Sequence, residues 1–99
     1  MCGIVAYYGN KDVVPLLING LRRLEYRGYD SAGIAVIKNN SIENIKTSGK
    51  VKDLELLVDD SIINAEIGIA HTRWATHGEP NDTNSHPHLD QTGKFALIH

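Results

Sequence analysis

The sequence predicts an α+β domain, and three observations carry that prediction. The chain has 99 residues, enough for one small folded unit and not for two. Hydrophobic residues make up 41% and charged residues 22%, an ordinary globular composition rather than a disordered one. Segments of strand and helix character follow one another without strict alternation, which favours an α+β sandwich over a doubly wound parallel sheet.

The elements read as follows. Cys2 to Tyr8 is apolar and rich in β-formers, a buried strand closed by Gly9-Asn10. Asp12 is placed to cap a helix with Pro15 in its first turn, where the missing N–H costs nothing. Val14, Leu17, Leu21 and Leu24 recur at helical spacing, so Val13 to about Tyr26 is an amphipathic helix. Gly20 within it implies close packing, Arg22, Arg23 and Arg27 suit its C-terminal end, and Gly28 stops it. Gly33 to Ile37 is a second strand. Lys38 to Ser41 is a turn, and Ile42 to Thr47 is the hairpin partner. Val51 to Val58 reads as a helix ended by Asp59-Asp60-Ser61, and Glu66 to Ala70 as a strand. His71 to Gln91 is polar and reads as one long functional loop. Lys94 to His99 begins a further strand.

Charge and composition exclude several classes of function. Ten Lys+Arg against twelve Asp+Glu give a net charge of −2, with no field to attract nucleic acid or an anionic membrane. The longest apolar runs are only a few residues, too short to cross a bilayer. No signal peptide is expected, and Cys at position 2 excludes N-myristoylation. The single cysteine forms no internal disulfide and fits a reducing, cytoplasmic setting.

Three motifs carry chemistry. In Met1-Cys2-Gly3-Ile4-Val5, removal of Met1 would leave Cys2 with a thiol and a free α-amine. That amine, with a reference pKa of about 7.7–8.0, can serve as the base for its own thiol, with a water bridging the proton transfer. The alternative is a cysteine acting as a small buried hydrophobe. Thr72-Arg73-Trp74-Ala75-Thr76-His77-Gly78 combines a bidentate guanidinium with directional hydrogen-bond donors, a loop fitted to grip the α-carboxylate of an amino acid. The alternative is a solvated loop whose arginine pairs with a nearby acid. Arg27-Gly28-Tyr29-Asp30-Ser31-Ala32-Gly33 is a polar turn between two glycines, which alone reads as a helix cap. His71, His77, His86 and His88 lack a cysteine pair and helical ligand spacing, so no metal site is expected.

These three motifs, the second extending through His71 to Pro80 (HTRWATHGEP) and the third reaching back to Arg22, resemble the N-terminal glutaminase domain of the glutamine–fructose-6-phosphate aminotransferase family. The likeness runs over essentially the whole chain. The Cys-Gly-Ile start is shared with other class II amidotransferases; the other two motifs point to the hexosamine-forming enzymes. The resemblance implies an N-terminal-nucleophile hydrolase fold, a four-layer αββα sandwich of which residues 1–99 are the incomplete N-terminal part. It implies that Cys2 attacks the carboxamide of L-glutamine to give a thioester and ammonia. Arg73, with Thr76 and His77, would bind the glutamine carboxylate. Trp74 would gate the ammonia passage, and Arg27 would support the site.

The resemblance implies no cofactor. It places fructose 6-phosphate in an isomerase domain outside this chain and makes the full-length enzyme a homodimer producing glucosamine 6-phosphate. An Asn-Gly oxyanion pair is expected directly after His99, so the 99 residues by themselves are expected to be inactive. The alternatives are another class II amidotransferase, or a non-catalytic remnant that binds glutamine or a partner.

Overall fold

The computed structural model describes residues 2–58, 65–74 and 85–98. Along the chain run β1 (Gly3–Tyr8), α1 (Val13–Leu24), a 3₁₀ turn (Glu25–Arg27), β2 (Ser31–Lys38), β3 (Ser41–Thr47), α2 (Val51–Leu57), β4 (Ile67–Arg73), β5 (His88–Leu89) and β6 (Ala96–Leu97). Four strands form one sheet in the order β1-β4-β2-β3, and each neighbouring pair is antiparallel. β5 and β6 form a separate two-stranded ribbon. The expected α+β class is observed.

Helix α1 begins where the sequence places it. The Asp12 carboxylate accepts the Val14 N–H at 3.4 Å, and the Val13 N–H donates to Ala65 O at 2.8 Å, fastening the helix start to the chain entering β4. Val13, Val14, Leu17, Ile18 and Leu21 are buried. They pack with Ala32, Ile34 and Val36 of β2, Ala70 of β4, and Val51 and Leu54 of α2. Both helices therefore cover one face of the sheet. Burying each such aliphatic side chain contributes about 1.5–3 kcal/mol relative to exposure. A Cβ on Gly20 would stand 2.8 Å from Val5 Cγ2, the close approach expected of a glycine inside the helix. The β2–β3 hairpin turns at Asn39 and Asn40, both at positive φ (52° and 64°), which matches the right-handed twist of the strands.

Several boundaries move. The first helix is regular only to Leu24 and tightens into the 3₁₀ turn before Gly28. β2 starts at Ser31, two residues earlier than the apolar run indicates, and it is buried from its first residue. β1 is an edge strand whose burial alternates, rather than a buried strand; Ile4 and Tyr8 are exposed. The largest correction concerns the loop expected over His71 to Gln91. Its first three residues belong to β4, and His88–Leu89 forms β5. Asp59 to Ser61, expected to end α2, lie outside the described residues.

The second face of the sheet carries Ile4, Ile37, Ile42, Ile67 and Ile69, and residues 85–98 lie over part of it. Gly33 allows this. A Cβ there would stand 2.0 Å from His86 O, so the His86–Pro87 backbone rests directly on β2. Lys46 Nζ donates to Ser85 O (3.0 Å) and Asn44 Nδ2 to Pro87 O (3.2 Å), fastening the segment to β3.

Candidate active site

Three of the expected site residues, Cys2, Arg73 and Trp74, lie at one end of the sheet. Gly3 pairs with Thr72, and Ser31 pairs with Arg73. Cys2, one residue before Gly3, therefore stands at the level of Arg73 on β4 and Ser31 on β2. The pleat directs Arg73 and Ser31 to the face opposite the helices. Cys2 is exposed, so its thiol is not a core atom. Arg73 is 8% exposed and Ser31 fully buried, whereas Trp74, directly after the strand, is 49% exposed.

The turn between the 3₁₀ segment and β2 closes the other side of this end. The Gly28 N–H donates to Glu25 O at 3.0 Å, and the Asp30 N–H donates to Arg73 O at 2.8 Å. Gly28 has φ +80° and ψ 140°, a conformation that side chains with a Cβ rarely adopt. The Trp74 ring occupies the space a side chain there would need: a Cβ on Gly28 would stand 3.2 Å from Trp74 Cζ3. The Tyr29 hydroxyl accepts the Val51 N–H at 2.8 Å and donates to Glu25 Oε1 at 3.0 Å. Burial pushes the Tyr29 hydroxyl above its ordinary pKa. The Val51 N–H opposes that shift, and the Glu25 and Asp53 carboxylates reinforce it.

Cys2, Arg73 and Trp74 are thus brought together at one end, and Arg27 lies in the adjoining 3₁₀ turn. The Arg27 side chain, Thr76 and His77 lie outside the described residues. Thr72 and Arg73, expected in a loop, end a strand. This gives the arginine a fixed main chain, held through its carbonyl by Asp30.

Sequence reading missed two features. Tyr29 and Asp30 link the polar turn to α2 and to β4. Three histidine rings also meet: His71 and His86 stack with centroids 4.2 Å apart, and His88 lies tilted at 52° against His86 at the same distance. The His86-x-His88 spacing places two of them on one side, but their meeting with His71 depends on the approach of the 85–88 segment to Gly33. Among the described residues, no group of three or more His, Cys, Asp or Glu side chains has an arrangement that could hold a metal ion.

A cavity of about 250 Å³, lined by Ile37, Ile42, Ile67, Ile69 and Phe95, opens near the far end of the sheet, away from Cys2 and Arg73. Apart from Lys94 its lining side chains are apolar.

Comparison with known proteins bears on this site. A glutamine–fructose-6-phosphate aminotransferase (isomerizing) of Caldanaerobacter subterraneus is 58% identical to the chain over 99 residues. The whole chain matches the N-terminal part of such enzymes. Proteins of the same name from Bacteroides thetaiotaomicron (58% over 100 residues) and Haemophilus influenzae (57% over 100 residues) also match along the whole chain. The chain spans 16% of the length of each of these aminotransferases. No protein-family model matches it.

Proposed function

We propose that the chain is the N-terminal part of the glutamine-hydrolysing domain of a glutamine–fructose-6-phosphate aminotransferase. The observation that carries this is the convergence of Cys2, Arg73 and Trp74 on one sheet end, in a chain that matches such aminotransferases along its whole length.

In this reading Met1 is removed and the α-amine of Cys2 takes the thiol proton through a water. The thiolate adds to the carboxamide carbon of glutamine. The resulting intermediate collapses to a γ-glutamyl thioester, and the ammonium proton leaves with the amide nitrogen as ammonia. Water then cleaves the thioester to glutamate and restores the thiol. Arg73 forks onto the glutamine α-carboxylate, with Thr76 and His77 beside it. Trp74 stands over the exit path of the ammonia, and Arg27 supports the site from the 3₁₀ turn.

The same reading gives the ribbon β5–β6 a place in the fold: it begins a second sheet over the open apolar face, as an αββα sandwich requires. The rest of the protein receives the ammonia at fructose 6-phosphate, with two copies forming the enzyme in the cytoplasm, a compartment that keeps an exposed thiol reduced. The test is a hybrid enzyme in which these 99 residues replace the matched segment of the Caldanaerobacter subterraneus aminotransferase. A glutamine-like electrophile should label Cys2, and excess glutamine should protect it. Labelling elsewhere, or labelling of Cys2 that glutamine does not slow, contradicts the assignment.

A further inference from the structure

We propose that Tyr29 is a positioning residue: its hydroxyl ties the turn at residues 28–30 to the start of α2 and so fixes where Arg73 and Trp74 stand. The inference rests on the glutaminase reading for its kinetic consequence, though not for its structural one. The Tyr29 ring packs partly buried against the core, while its hydroxyl bridges two elements, accepting from Val51 N–H and donating to Glu25. Helix α2 has only seven residues; the Asp53 carboxylate accepts the Lys50 N–H at 2.9 Å, while the Val51 N–H finds its acceptor outside the helix. Tyr29 Oη provides that acceptor from the far side of the turn.

The turn is thereby held at three points. Gly28 N–H bonds back to Glu25 O, Tyr29 bonds to α2, and Asp30 N–H bonds to Arg73 O. The first point sets only the local bend. The second sets the position of the turn relative to the helix layer, and the third passes that position to the end of β4. The Trp74 ring lies against Gly28 in the same turn, so any drift of the turn moves the surface on which the indole rests. Removing the hydroxyl leaves an otherwise isosteric ring, with the core contact kept and the bridge lost.

The test uses Tyr29→Phe, with Tyr8→Phe on the exposed edge strand as the control. Trp74 is the only tryptophan of the chain, so its emission reports this end of the sheet alone. In the 99-residue protein, Tyr29→Phe should keep the circular dichroism of the parent. Its Trp74 emission should shift to the red and be quenched more readily, and the amide resonances of Arg73 and Trp74 should move. Tyr8→Phe should change none of these. Glu25→Ala, a substitution at an exposed position that removes only the acceptor, should give a smaller shift in the same direction; it decides the matter if Tyr29→Phe does not fold.

In the hybrid enzyme, Tyr29→Phe should raise KM for glutamine about three- to tenfold, the size of one lost hydrogen bond, and leave kcat within about twofold. A folded Tyr29→Phe protein with parental Trp74 emission and parental Arg73 and Trp74 amides would overturn the proposal. So would an unchanged KM in an active hybrid. A parent hybrid that hydrolyses no glutamine would instead count against the glutaminase reading, and the emission measurement would still decide the role of Tyr29.

Discussion

At the end of β4 a buried arginine and a half-exposed tryptophan are adjacent in the chain, and their environments set what each can do. Arg73 has its main chain fixed by strand pairing and by Asp30, which suits a group that must present a planar fork at one angle. The carboxylate it would bind lies remote from the breaking amide bond, so the contact is equal in ground and transition states. Arg73→Ala in the hybrid enzyme should therefore lower kcat/KM for glutamine about ten- to a hundredfold, chiefly through KM. Arg73→Lys should recover only part of the loss, because a point charge does not reproduce the fork. Steady-state kinetics checks both.

Tyr29 gives a second prediction at this scale. Its pKa is raised in the folded chain, so the stability it contributes is fully present below the unfolded pKa of tyrosine. That stability is lost as pH rises through the higher folded value. Ultraviolet titration of tyrosinate should show a step above the ordinary tyrosine range, and Tyr29→Phe should remove that late step.

Among the elements, the segment 85–88 depends on a single missing side chain. Gly33→Ala would drive a methyl group into the His86 carbonyl, so the segment must lift from β2. The expected cost is about 1–3 kcal/mol, read by thermal denaturation, with loss of the His71–His86 ring contact in the histidine resonances. The ribbon beyond it is organised by Asp90, whose carboxylate accepts from the Thr92 hydroxyl and from the N–H groups of Lys94 and Phe95. The Thr92 hydroxyl, then the Phe95 N–H, hold this carboxyl below its usual range. The turn's stability from this source is present above the unfolded pKa of Asp90 and lost as pH falls through the lower folded value. A carbon-detected titration should place Asp90 below the ordinary aspartate range, and Asp90→Ala should weaken the β5–β6 resonances' protection from exchange.

Elements with local signals were legible in the sequence. Asp12 with Pro15 marked the start of α1, and the Asn39-Asn40 pair marked the hairpin. The extension of β4 through His71, Thr72 and Arg73 was not, because these polar residues are held by pairing with β1 and β2, which are distant in the chain. The early start of β2 at Ser31 escaped for the same reason. The meeting of Tyr29 with α2 joins residues 22 positions apart and leaves no periodic trace.

Over the whole molecule, two helices seal one face of the sheet while the other keeps exposed Ile4, Tyr8, Ile37 and Ile67. Apolar surface gathered on one sheet face is a surface for further packing. The chain spans 16% of its aminotransferase relatives, and an αββα arrangement would cover this face with a second sheet. In that arrangement the end of the sheet that gathers Cys2 and Arg73 would form the rim of a pocket between two layers. If the Cys2 thiol is the nucleophile of glutamine hydrolysis, glutamate release by the hybrid enzyme must depend on it. The parent hybrid should release glutamate and ammonia in equal amounts, and Cys2→Ala should fold normally and lower that rate about a thousandfold or more. A folded Cys2→Ala hybrid that releases glutamate at the parent rate would leave the thiol without a part in the chemistry.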